Sequence, residues 1–118
     1  METKQAIMAF SQSEKIKSGI IWVSHCLETL NGLTEAERQG AERMIVTIIY
    51  LIVHEIRLAD TLVGDVPWKE IEKDIEQSVA MINSGIASEA VPKLTQTLSR
   101  VTTIGHRAMS FLKEKNLL

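Results

Sequence analysis

Apolar residues recur at steps of three and four along most of the chain, and that spacing admits helices and little else. Ile16, Ile20, Val23, Leu27 and Leu30 form one such stripe, and Trp68, Ile71, Ile75, Val79 and Ile82 form another. A further stripe runs through Val91, Leu94, Leu98, Val101, Gly105, Ala108 and Leu112, where Gly105 and Ala108 leave room for a neighbouring helix to come close. Only Ile45 to Val53 is rich enough in β-branched residues to compete as a strand. Its flanks are charged, helix-favouring and free of turn residues, so it too reads as helix.

Helix-ending signals divide these stripes. Ser11-Gln12-Ser13-Glu14 and Thr34-Glu35-Ala36-Glu37 have the S/T-x-x-E spacing of a capping box, in which hydroxyl and carboxylate each satisfy an orphan amide of the first turn. Asn31-Gly32, Gly64 and Asn83-Ser84-Gly85 supply residues that tolerate the left-handed conformation at a helix end. Pro67 suits a first turn, and Ser88 is a cap candidate with Pro92 shortly after it. The spacing predicts helices at about 11–31, 34–63, 67–84 and 89–115. Connections this short make neighbouring helices antiparallel. The expected fold is an all-α, single-domain, antiparallel up-down-up-down four-helix bundle over residues 11–118. Residues 1–10 (METKQAIMAF) either lengthen the first helix by two turns or pack as an N-terminal arm.

Composition removes several classes of function. Thirteen Lys and Arg against fifteen Asp and Glu leave a formal charge of -2, without the basic excess of a nucleic-acid binder. The longest strongly apolar run free of charge is Met44 to Val53, far short of the about 20 residues a membrane helix needs. A single cysteine, Cys26, excludes an internal disulfide framework and a cysteine-rich zinc site. Met1-Glu2-Thr3-Lys4 has no sustained apolar stretch behind it, so no signal peptide is expected and the setting reads as cytoplasmic.

The second helix is the informative one. At 100° per residue, Met44, Ile48, Leu51, Glu55, Leu58 and Leu62 form one heptad-spaced row, and Ile45, Ile49, Ile52, Ile56, Ala59 and Val63 form a second. Val46 and Val53 widen the apolar arc to about 200°, where a bundle helix buries little more than about 100°. A second copy of the chain is the simplest cover, which predicts a homo-oligomer, with a dimer favoured, through Ile45, Val46, Ile49, Ile52, Val53 and Ile56. The alternative cover is the N-terminal segment. Glu55 interrupts its row, which an acid does when it is rim-exposed, paired with Lys or Arg, or protonated; the expectation is a cationic partner from another helix or chain, because Arg57 points elsewhere.

Residues that could carry chemistry do not converge in the sequence. His25, His54 and His106 fall on separate faces, and neither E-x-x-H nor H-E-x-x-H occurs. His25-x-x-Glu28 offers only two ligands, so no metal and no cofactor are expected. Cys26 has no histidine at helical distance except its neighbour His25, whose ring points about 100° away, so it lacks the partner of a catalytic thiolate. Trp22, Trp68, Phe10, Phe111 and Tyr50 are too dispersed for a base-stacking platform. Trp68 reads as a core plug, and Lys69 to Glu76 as a solvated face.

His54-Glu55-Ile56-Arg57 resembles the phosphoacceptor box of sensor histidine kinases. The resemblance implies that His54 accepts phosphate while Glu55 takes its proton. Leu58 stands where that family has Thr or Asn, Ala59 where it commonly has Pro, and no Gly-rich nucleotide-binding segment is present. A kinase is thereby excluded, and a passive histidine phosphotransfer module is the alternative reading. Arg100-Val-Thr-Thr-Ile-Gly-His106 is similar to the R-x4-6-H element of the helical HEPN ribonucleases, which implies Arg100 and His106 as catalytic residues. Val101 replaces the polar residue usual after that arginine, and the two side chains lie on different sides of one helix. The leading expectation is a non-catalytic interaction or regulatory module. It self-associates through helix two and offers Tyr50, His54 and Arg57 as an accessible patch for a protein or anionic partner, with no nucleic-acid and no membrane role.

Overall fold

Each of four helices turns one stripe inward, and together they bury a single core of 25 apolar side chains that leaves no second core for another domain. The computed structural model describes all 118 residues. Its helices are α1 (Thr3–Thr29), α2 (Glu35–Leu62), α3 (Trp68–Asn83) and α4 (Ala87–Glu114), with a short 3₁₀ turn at Leu30–Gly32 and no strand. α1 packs on α2 and α4, and α3 on the same two helices, while the backbones of the diagonal pairs stay further apart. That is a four-helix bundle. Between α1 and α2, Gln12 bonds to Glu55 and Gly19 lies against Ile52.

Small residues leave two sites with no room for a side chain. A Cβ on Gly105 would stand 2.8 Å from the Ser13 hydroxyl, and one on Gly19 would stand 2.9 Å from Ile52. Trp68 is wholly buried and plugs the core at the start of α3. Thr34 caps α2 as its sequence predicts. Its hydroxyl accepts from the Glu37 amide at 3.3 Å, and the Glu37 carboxylate accepts from the Thr34 amide at 2.9 Å.

Of the two alternatives for residues 1–10, the helix extension is the one found, and the helix start expected at Ser11 is corrected. Ser11-Gln12-Ser13-Glu14 is not a helix start; α1 runs through it from Thr3, and the Glu2 amide donates to the Gln5 side chain at 3.1 Å. Ala6 and Ala9 are wholly buried and continue the inward stripe toward the N-terminus. Ser13 is buried as well and donates to the Phe10 carbonyl at 2.9 Å. The last helix likewise begins at Ala87, so Ser88 lies inside it and is no cap. No helix is long and apolar enough to cross a membrane.

Candidate functional site

The two apolar rows of α2 have opposite fates. Ile45, Ile49, Ile52, Val53 and Ile56 are buried in the chain's own core, and Val46 is partly buried against it. The oligomer interface expected at those six residues is therefore corrected: contacts from α1 and α3 already cover them. The row that remains outside is the other one. Met44, Leu51, Leu58 and Leu62 are 66%, 57%, 46% and 39% exposed, with Ile48 partly buried between them. Trp22 of α1 is 67% exposed.

Glu55 and Lys15 show how α1 and α2 share this outer face. The Glu55 carboxylate sits in the middle of the row and accepts from the Gln12 amide at 3.1 Å. Lys15 approaches the same oxygen at 3.5 Å. The cationic partner expected from another helix is thus Lys15 of α1. Trp22 is two turns beyond Lys15 on the same side of α1, which sets it beside the Ile48 turn of α2. The face accordingly sets the exposed Met44, Leu51, Leu58, Leu62 and Trp22 around one neutralised ion pair.

Tyr50, His54 and Arg57 are all exposed along one side of α2, next to the outer row. Arg57 already has carboxylate partners on α3. Its guanidinium donates to Glu72 at 3.0 Å and lies 3.9 Å from Glu76, and these two carboxylates raise its pKa above the usual arginine value. His54 reaches water, but Glu55 turns toward Gln12 and Lys15 and is not aimed at its ring. The neighbouring base of a phosphoacceptor box is therefore occupied elsewhere.

Arg100 and His106 diverge. Arg100 reaches across to α3 and donates to Asp74 at 2.7 Å, whereas His106 borders a hollow shared with Phe10, Glu14 and Lys17 of α1. No cleft holds both. His25 and Cys26 are exposed near the other end of α1, and no three His, Cys, Asp or Glu side chains come together. The surface hollow beside His106 is an open trough lined mainly by Ser99, Thr103, Arg107 and Ser110, with no buried polar group aimed into it.

Sequence reasoning missed two features. Trp22 was only one of several scattered aromatics, because its neighbourhood depends on how α1 and α2 are phased. Asp74 sits inside the charged run Lys69 to Glu76 and yet is buried, held by Arg100 and by Lys93 at 3.3 Å. Its spacing was the available signal: it falls three residues after Ile71 and four before Ser78, both buried. Fold and surface together define a four-helix bundle with an unpartnered heptad row on its flank. Compared with family models, curated proteins and solved structures, the chain gave no match.

Proposed function

We propose that this chain is a non-catalytic interaction or regulatory module whose docking surface is the outer row of α2 with Trp22 of α1. The observation that supports it is the exposure of Met44, Leu51, Leu58 and Leu62 at heptad steps on a helix whose core row is already satisfied. Leaving a large apolar side chain in water forgoes about 1.5–3 kcal/mol of burial each, and scattered residues need no explanation, but a contiguous row does. Thr47, Tyr50, His54 and Thr61 border the row and give it the polar rim that interfaces have. An exposed free thiol at Cys26 suits a reducing, cytoplasmic setting.

Docking residues and core residues respond differently to polar replacement. In dilute solution, Leu51→Gln with Leu58→Gln is expected to leave helical content intact and to change the stability read from urea unfolding by less than about 0.5 kcal/mol. Ile49→Ala, in the core row, is expected to cost about 2–5 kcal/mol. A loss of that core size from the outer pair would make the row structural and end the docking reading. Histidine phosphotransfer at His54 is the competing reading, and acetyl phosphate is expected to leave no acid-labile, base-stable phosphohistidine on the chain.

A further inference from the structure

We infer that the occupant of this face is a second copy of the chain, seated with its α2 antiparallel to the first across a two-fold axis between Leu51 and Glu55. The inference rests on the docking reading above. Three features of the face select that occupant over others.

The first is length and period. Met44 to Leu62 spans about 27 Å of helix, and a 3.5-residue period keeps its seam only against another helix at a shallow crossing angle. A partner must therefore present a straight apolar row at least five turns long. α2 itself presents one.

The second is charge. At the middle of the face the acid Glu55 and the base Lys15 are already paired with each other. A neutral face has nothing to offer a polyanion or an anionic lipid surface, whereas two neutral faces meet without repulsion. Charge also chooses direction. In a parallel pair, Glu55 would stack on its own copy, and like charges so placed are unfavourable. In the antiparallel pair, Met44 meets Leu62, Ile48 meets Leu58, and Glu55 meets Leu51 of the other copy. Each carboxylate stays beside its own Lys15.

The third is area. A strip about 27 Å long and two helices wide covers roughly 500 Å² in projection, and accessible area exceeds projected area on a surface of side chains. That approaches the about 800 Å² per partner of an ordinary stable interface.

The test is sedimentation of the full chain from one to one hundred micromolar, with acrylamide quenching of tryptophan recorded in parallel. Trp22 is the exposed indole and Trp68 the buried one, so the quenchable signal is that of Trp22. The mass is expected to double as concentration rises while Trp22 becomes protected. Register is read from position 51, which faces Glu55 of the other copy. Leu51→Glu is expected to weaken association about 100-fold or more, and Leu51→Lys to weaken it far less. Leu58→Glu, tested beside them, is expected to abolish doubling with helical content unchanged. Doubling that survives both glutamate variants overturns the inference, as does equal loss from Leu51→Lys and Leu51→Glu. A wild-type chain that stays monomeric at one hundred micromolar also overturns it. If the outer pair of glutamines still leaves stability untouched in that case, the docking reading survives with a different occupant.

Discussion

Ser13 of α1 and Gly105 of α4 meet closely, and the fit is a matter of a single atom. Alanine at Gly105 gains about 1 kcal/mol of helix propensity but drives its methyl to 2.8 Å from the Ser13 oxygen, while the Ser13 Cβ is at an ordinary 3.6 Å. Gly105→Ala alone is expected to destabilise by about 1–2 kcal/mol through overpacking. With Ser13→Ala in the same chain the clash disappears, and the double variant is expected to be at least as stable as the wild type. Urea unfolding of the four members of this cycle decides it; purely additive losses would mean that the contact does not limit the approach. Asp74 is the opposite kind of residue, buried and charged. Lys93 and Arg100 remain partly exposed and can relax into water, so Asp74→Ala is expected to cost about 1–3 kcal/mol, less than stranding two buried cations would. A cost near zero in chemical denaturation would show that the pair adds nothing to the α3–α4 contact. Composition hides Asp74, because a carboxylate among Lys69, Glu70, Glu72 and Glu76 looks like any other member of a wet face, and only its spacing from Ile71 and Ser78 sets it apart.

Helices were legible in this chain because each kept a 3-4 stripe, and α2, α3 and α4 begin and end within two residues of the bounds that stripe and punctuation predict. Only the start of α1 stayed open between an extension and an arm, because Ser11 to Glu14 imitates a helix start while the continuation depends on Ala6 and Ala9, residues too small to draw a stripe by hydropathy alone. α2 posed a different problem. Both of its rows are apolar, they differ by one residue step, and only packing from α1 and α3 decides which faces inward. Glu55 carried the answer, since a carboxylate belongs to the row that reaches water, and the structure places it there beside Lys15. The start of α2 has its own test. The backbone amide and hydroxyl of Thr34 hold the Glu37 carboxyl below its ordinary pKa. A carboxyl lowered by folding adds stability above its ordinary value and loses it as pH falls through the lowered one. The first turn of α2 is therefore expected to fray only in acid below the usual carboxylate range, seen as faster amide exchange at Glu37. Glu37→Gln keeps an acceptor for the Thr34 amide and should flatten that pH dependence. An unchanged acid profile in the glutamine variant would show that another carboxyl is responsible.

A bundle of 53 × 22 × 17 Å is a rod, and its radius of gyration of 15.6 Å exceeds the about 13–14 Å of a compact chain of this length. Rods expose flanks, and here the flank formed by α1 and α2 is the apolar one. The end where α1 meets α2 and α3 meets α4 is of another character, with Glu28, Arg38 and Glu42 around a partly enclosed hollow. Charged ends do not stack well, so association should widen the rod and not lengthen it. The two arrangements differ strongly in size. Two copies side by side, their centres separated by about one bundle width, have a radius of gyration of about 18–19 Å, whereas two copies end to end reach about 30 Å. Small-angle scattering over a concentration series is expected to rise from the monomer value toward the smaller of these figures. Leu58→Glu should hold it at the monomer value at every concentration. A rise toward the larger figure would place the contact at the ends, where Met44 to Leu62 plays no part, and the outer row of α2 would then have to answer to some other partner.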